Sequence, residues 1–335
     1  MRYDASWEAL MRPGDGNSFF RPSPRMAAHI HPFRSDAAGF LPANAWWLSE
    51  MSRLIYRRGP EELGEMAPDR SRNDFLSTAG MRERHFFHKP SVQCGIFSTP
   101  PGAKNGFAAL VFRGTNGLET WLSNLNTLQV RWPMGGMVHG GFKKEFFRIW
   151  AEVAEAMANI DLPFFYTGHS LGGALAVLAA SMRPPRAVYT FGAPRVGDPV
   201  FAAGLAGVPV YRVANLRDIV PAVPPSRIPF DFRHAGEAIL LAAPEIDETE
   251  PETESEENPA TATEPGGTFA TAKGVFSTRR LLPGPPEFLS EHAPINYTVH
   301  LARTLCVPRS EWTEERRPSE SPPRRADPIR PIVPI

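Results

Sequence analysis

The chain has 335 residues, with 36 basic and 36 acidic side chains, so its formal charge is zero. Hydrophobic residues make up 42% of the chain, enough for a sizeable core. The balanced charge gives no positively charged field that would favour nucleic acid as a partner. The sequence has no run of about 18 apolar residues, so it predicts no transmembrane helix.

The N-terminal stretch is rich in Pro, Gly, Arg and His and lacks hydrophobic periodicity, so we expect a poorly ordered arm over residues 1–42. Residues 1–20 carry three acidic side chains and no apolar stretch of the kind found in secretory signal peptides. The sequence therefore predicts a cytoplasmic protein by default, with export by a route that needs no cleaved signal as the alternative.

The pattern of apolar residues predicts one α/β domain over residues 43–306. Apolar positions between Trp47 and Ile55 recur at helical spacing and indicate a helix. Short apolar runs at 91–98 and 107–112 are divided by a Pro-Pro-Gly turn signal, which predicts an antiparallel pair of strands.

Helical and strand patterns alternate beyond this point. Helical spacing over 142–160 precedes an apolar run at 162–167, a helix of small residues at 171–182 and further apolar runs at 186–191 and 208–213. Strands separated by helical segments favour a mainly parallel sheet with helices on both faces.

Two segments depart from this pattern. Residues 245–267 carry nine acidic and no basic side chains, and residues 245–272 are interpreted as a disordered acidic insertion. A tolerated insertion is favoured over a regulatory or partner-binding loop, because long loops cost little free energy. Residues 307–335 contain seven prolines and are interpreted as a disordered tail rather than a ligand for an aromatic groove.

The most informative motif is Gly-His-Ser-Leu-Gly at residues 168–172, which joins a predicted strand to a predicted helix. Glycines permit the tight turn that makes Ser170 point its hydroxyl outward, and the first N–H groups of the helix can stabilise an oxyanion. This context predicts the nucleophile elbow of an α/β-hydrolase rather than a glycine-rich surface turn.

A catalytic serine needs a base to take its proton and a carboxylate to orient that base. In α/β-hydrolases the acid and then the histidine follow the serine along the chain. Asp218 follows the apolar run at 208–213, so it would lie at the carboxyl edge of the sheet, and it is the favoured acid. Asp198 also follows a predicted strand and is the alternative.

Three histidines lie downstream of the serine. His234 is placed at the start of a strand, and His300 fits the face of a helix. His292 lies at a junction between a loop and a helix, so it is the favoured base, with His300 as the main alternative. His169, next to the serine, is expected to point away from the hydroxyl and is interpreted as structural.

The oxyanion hole requires two N–H donors. One would be the N–H of Leu171, which follows the nucleophile. The other would come from Thr115, after the strand at 107–112, where Gly114 permits a close approach.

Together these motifs resemble the class 3 lipases, the fungal-type lipases and their bacterial relatives. The matching segments occur in the family's order and cover roughly residues 44 to 303: Phe112–Thr115, His139–Phe142, Thr167–Ala176, Tyr189–Asp198, Asn215–Pro221, and His292 with Tyr297.

The resemblance implies an α/β-hydrolase fold with Ser170 as nucleophile, Asp218 as acid and His292 as base. It implies an oxyanion hole at Thr115 and Leu171. The residues between Thr115 and His139 would correspond to a lid, with an ordinary packed helix as the alternative.

The activity implied is hydrolysis of carboxylic esters of acylglycerols or related lipids through an acyl-enzyme. No cofactor is needed for it, and no Cys or His cluster has the spacing of a metal site. Expected partners are a lipid or ester substrate and, transiently, a membrane or lipid-droplet surface. A soluble carboxylesterase or phospholipase A1 is the alternative, and a catalytically inactive binding protein of the same fold is the less favoured one.

Overall fold

The computed structural model describes residues 19–21, 28–59, 64, 70–114, 128–227, 230–241 and 291–306. The acidic insertion predicted at 245–272, the tail at 307–335 and most of the residues before 28 lie outside this part of the chain. The proposed domain boundaries therefore stay a prediction.

The described residues contain the following helices and strands. The helices are α1 (Pro42–Leu54), α2 (Arg72–Thr78), α3 (Gly140–Phe147), α4 (Trp150–Ala158), α5 (Leu171–Met182), α6 (Pro199–Ala203) and α7 (Pro294–Cys306), with a 3-10 turn at Val220–Ala222. The strands are β1 (Arg82–Lys89), β2 (Val92–Ser98), β3 (Ala108–Phe112), β4 (Gln129–Arg131), β5 (Met137–His139), β6 (Phe164–His169), β7 (Ala187–Phe191), β8 (Val210–Asn215), β9 (Ser226–Arg227), β10 (Phe230–Asp231) and β11 (Glu237–Leu241).

Seven of these strands form one sheet in the order β1-β2-β3-β6-β7-β8-β11. The first three pair antiparallel, and the neighbours from β3 to β11 pair parallel. The predicted antiparallel pair and the mainly parallel sheet are both confirmed. The carboxyl ends of β3, β6, β7 and β8 consequently meet at one edge of the sheet.

Helices cover both faces of the sheet, as expected for an α/β fold. Strands β2, β3, β6 and β7 are buried along their whole length, because the sheet is covered on both faces and these strands have no solvent-facing side. One face packs against α3, α4 and α5 through residues such as Phe146, Val153 and Leu175. The other face packs against α1 and α7 through residues such as Met51 and Leu301.

The described part of the N-terminal stretch adds aromatic side chains to the core. Phe19 and Phe33 are buried, and the ring of Phe33 stacks on Phe107 with the ring centroids 3.7 Å apart. The N–H of Phe20 donates to the Glu50 carboxylate on α1 at 3.0 Å. These contacts join the start of the described chain to α1 and to the residue before β3.

Across the ranges that the structure describes, no helix has both the length and the apolar character needed to cross a membrane.

Candidate active site

Ser170 occupies a sharp turn between β6 and α5. Its φ of +58° lies in a region that residues with a Cβ rarely adopt, so the backbone there is strained. The turn requires glycine on both sides. A Cβ on Gly168 would lie 2.3 Å from the carbonyl carbon of Gly172, and a Cβ on Gly172 would lie 2.1 Å from the carbonyl oxygen of Phe112. The predicted strand–turn–helix around the serine is therefore present.

Asp218 and His292 meet at the carboxyl edge of the sheet. The Nδ1 of His292 lies 2.6 Å from Oδ2 of Asp218, and both side chains are completely buried. A carboxylate oxygen accepts, so Nδ1 carries the proton of this hydrogen bond. In the neutral ring, Nε2 is then left as a lone-pair acceptor, which is the tautomer that a general base requires.

Two further donors hold the Asp218 carboxylate. Its Oδ1 accepts the N–H of Val220 at 2.8 Å, and its Oδ2 also accepts the hydroxyl of Tyr297 at 2.5 Å. Burial, followed by the nearby Asp218 charge, raises the pKa of Tyr297 well above its usual value, so this hydroxyl remains a donor. The carboxylate is thus fixed in position before it orients the histidine.

The remaining polar atoms of the site are Ser170 Oγ and His292 Nε2. Both are buried, and neither has a hydrogen-bond partner among the residues that the structure describes. Buried polar atoms normally have partners, and the bond between a nucleophile and its base is often long before substrate binds. These two atoms are the ones between which a proton would move.

His169 connects the serine turn to His292. Its Nε2 lies 2.6 Å from the main-chain oxygen of His292, and the two imidazole rings have centroids 4.4 Å apart. Its other ring nitrogen, Nδ1, lies 2.9 Å from the hydroxyl of Tyr56. The sequence identified neither contact, because Tyr56 is 113 residues away and no local pattern links the two positions.

The alternatives weighed for acid and base are engaged elsewhere. Asp198 caps α6, where its Oδ1 accepts the N–H of Phe201 at 2.8 Å. His234 Nε2 donates to the carbonyl oxygen of Pro221 at 2.8 Å, and His300 lies inside α7. The geometry therefore favours Asp218 over Asp198 and His292 over the other histidines.

The oxyanion hole is described only in part. Leu171 is the first residue of α5, so its N–H is among those that have no partner within the helix. Thr115 and residues 116–127 of the predicted lid lie outside the described residues, and the assignment of both stays a prediction. Within the described ranges, no group of three or more His, Cys, Asp or Glu side chains could hold a metal ion.

The buried histidines make folding stability sensitive to acid. Burial, helped by neighbouring Arg212, lowers the pKa of His234 from 6.5 to about 3. The unfolded chain binds a proton below pH 6.5 while the folded chain does not, so stability is full above pH 6.5 and falls as the pH drops toward 3. We expect urea unfolding to show a lower free energy at pH 5 than at pH 7, and His234→Gln to reduce that difference. An unchanged difference in the variant would contradict a neutral His234.

Part of the chain is similar to known lipases. The model of the class 3 lipases matches residues 109–228. The lipase of Rhizomucor miehei is 38% identical over 146 residues, which are 38% of this chain and 40% of that lipase. Secreted mono- and diacylglycerol lipase 1 of Fusarium solani is 35% identical over 148 residues, which are 40% of this chain and 44% of that enzyme. The chain thus spans less than half the length of these curated relatives.

A solved structure shares the fold. The lipase from Rhizopus microsporus var. chinensis superposes with a TM-score of 0.50 and 23% identity, covering 69% of this chain and 85% of that one. The parallel sheet and the serine turn are those of an α/β-hydrolase. The similarity to the class 3 lipases extends over residues 109–228.

The expectation of a cytoplasmic protein is wrong. The finding against it is that the matched relative from Fusarium solani is named as a secreted enzyme. The expectation depended on the lack of an apolar stretch in residues 1–20, and such a lack does not identify a compartment.

Proposed function

We propose that this protein hydrolyses carboxylic ester bonds of acylglycerols or related lipids through an acyl-enzyme on Ser170. The observation that carries the proposal is the buried contact of 2.6 Å between His292 and Asp218, beside a strained serine at the start of a helix. Strain at a buried nucleophile is retained where function requires it.

In the proposed reaction, Ser170 Oγ attacks the ester carbonyl carbon and passes its proton to Nε2 of His292. The negative charge of Asp218 stabilises the imidazolium that forms. The carbonyl oxygen, now an oxyanion, accepts hydrogen bonds from the N–H of Leu171 and from Thr115.

Collapse of this tetrahedral intermediate breaks the bond to the alcohol, which leaves with the proton from His292. The acyl group remains on Ser170 as an ester. A water molecule then attacks that ester and gives its proton to His292, which passes it to Ser170 Oγ as the acyl–oxygen bond breaks and the fatty acid is released.

The lipid character of the substrate is supported by the relatives and by the surface near the site. The relatives matched above are named a lipase and a mono- and diacylglycerol lipase. Leu216 and Ile219, which flank Asp218 in the loop after β8, are 62% and 42% exposed. Apolar side chains beside the site suit an acyl chain or transient contact with a lipid surface, and the secreted relative suggests an extracellular setting.

Active-site labelling tests the proposal. We expect a fluorophosphonate probe to attach to the folded protein at Ser170, as located by mass spectrometry, because an activated serine attacks the phosphorus atom. The Ser170→Ala variant should not be labelled. Absence of labelling in the folded wild-type protein, or equal labelling of the variant, would overturn the enzymatic proposal.

A second measurement separates a lipase from a soluble esterase or phospholipase A1. We expect hydrolysis of tributyrin to rise steeply once the substrate exceeds its solubility and forms an interface. Saturation below the solubility limit with no further rise would favour the soluble esterase. Release of fatty acid from phosphatidylcholine but not from acylglycerols would favour the phospholipase.

Replacement of Asp218 by Asn tests the role of the acid. We expect kcat for a soluble p-nitrophenyl ester to fall about 10,000-fold, because the amide can hold the imidazole in the tautomer that protonates Nε2. The control is Asp198→Asn, since asparagine also caps helices, and its kcat should stay within about twofold of wild type. A loss below tenfold for Asp218→Asn would contradict the assignment.

A further inference from the structure

We infer that Tyr56 and His169 form a positioning pair that holds the main chain of His292, and the strand end before Thr115, against the serine turn. The inference deepens the proposed function and depends on it. It also changes the interpretation of His169, which the sequence indicated to be merely structural.

The protonation state of His169 follows from its two partners. The main-chain oxygen of His292 only accepts, so the contact of 2.6 Å requires a proton on Nε2 of His169. Burial, together with the neighbouring His292, holds the pKa of His169 well below its usual value, so the ring is neutral. Nδ1 therefore carries a lone pair and accepts the hydroxyl proton of Tyr56 at 2.9 Å.

The hydroxyl of Tyr56 also contacts Gly114, two residues after the end of β3. Its oxygen lies against the backbone of Gly114, while burial raises the pKa of the phenol and keeps it protonated. The contact is close, since a Cβ on Gly114 would lie 2.1 Å from this oxygen and 3.2 Å from Cβ of Ser170. One hydroxyl thus joins the residue before Thr115 to the residue before Ser170.

His292 needs a contact that fixes the position of its main chain. His292 is 74 residues from Asp218 in the chain, and the carboxylate fixes only Nδ1 of its ring. The bond from His169 fixes its main chain, and two fixed points set where Nε2 lies relative to Ser170. A displacement of about 1 Å at such a group can cost about 100-fold in rate.

A matched pair of substitutions separates positioning from packing. Gln and Met are similar in length and volume, but only Gln has an N–H that can donate to the carbonyl of His292. We expect His169→Gln to keep kcat for a soluble p-nitrophenyl ester within about fivefold of wild type and His169→Met to lower it about 50-fold, with KM changed less than about threefold in both. The Tm of the Met variant should equal or exceed that of the Gln variant, since Met is apolar and buried.

A second pair tests the tyrosine. Tyr56→Phe removes the hydroxyl that joins His169 to Gly114, and we expect kcat to fall about tenfold with little change in KM. The control is Tyr166→Phe, because the hydroxyl of Tyr166 donates to the carbonyl oxygen of Arg183 at 2.9 Å, away from the serine turn. That variant should lose stability and keep kcat.

The outcomes distinguish this inference from the proposed function. If wild type is labelled at Ser170, but the Gln and Met variants have equal kcat and equal labelling rates, the positioning role is wrong and the function stands. The positioning role is also wrong, and the function stands, if the loss of kcat parallels the loss of Tm across the two His169 variants, Tyr56→Phe and Tyr166→Phe. If wild type is neither labelled nor active, the proposed function itself fails.

Discussion

Replacement of Ser170 by Ala is expected to lower kcat for ester hydrolysis by about a million-fold, because no covalent intermediate can form. Alanine retains the Cβ that Ser170 places at a φ of +58°, so the strain of the turn is unchanged by the substitution. The hydroxyl that is removed has no hydrogen-bond partner among the described residues, so no bond observed there is lost with it. The measurement is kcat with a p-nitrophenyl ester, together with Tm.

The matched control lies on the helix that follows. Ser181, near the end of α5, donates its hydroxyl to the carbonyl oxygen of Leu178 at 2.7 Å and accepts from Trp132 at 2.9 Å. Ser181→Ala removes a serine hydroxyl from the same helix and should lower Tm while kcat stays near wild type. Residual hydrolysis above about one thousandth of the wild-type rate in Ser170→Ala would contradict a covalent role.

Local sequence patterns were sufficient for the central strands of the sheet and for the serine turn, but they did not reveal the edge strand β1. The runs that became β2, β3, β6 and β7 are short, apolar and buried on both sides, so hydrophobicity alone marks them. The turn around Ser170 was predictable because the steric demand for glycine acts between residues only a few positions apart.

Contacts between distant segments could not be predicted in this way. Tyr56 and His169 have no shared periodicity or motif, and their hydrogen bond exists only because α1 packs on the face of the sheet next to β6. The same holds for Phe33, which lies in a stretch without periodicity and yet stacks on Phe107. The positions of Asp218 and His292 were favoured from chain order and local sequence, but their distance of 2.6 Å is set by the tertiary fold.

Helices α1 and α7, which cover one face of the sheet, bring these distant residues together. Helix α7 begins two residues after His292, carries Tyr297, and packs against α1. The hydroxyls of Thr298 on α7 and Ser49 on α1 lie 3.1 Å apart in the buried contact between the helices. His292, the Tyr297 hydroxyl that donates to Asp218, and the helix before Tyr56 therefore belong to one packed unit.

Replacement of His292 by Ala is expected to lower kcat about a million-fold, similar to the loss of the nucleophile, because a serine without its base is not activated. The effects on kcat of substituting Ser170 and His292 should be strongly non-additive, because the two residues act together in the proposed reaction. The double variant Ser170→Ala/His292→Ala should therefore be no less active than Ser170→Ala alone. The measurement is kcat for each single variant and for the pair with the same soluble ester.

His300→Ala is the control, because His300 was the main alternative base and lies within α7 two turns beyond His292. Its kcat should stay within about threefold of wild type, since a histidine outside the proton path does not change the barrier of the chemical step. If His300→Ala abolished activity and His292→Ala retained it, the base would be misassigned, and the contact between His292 and Asp218 would have to be structural. Additive losses in the double variant would likewise mean that Ser170 and His292 act in separate steps.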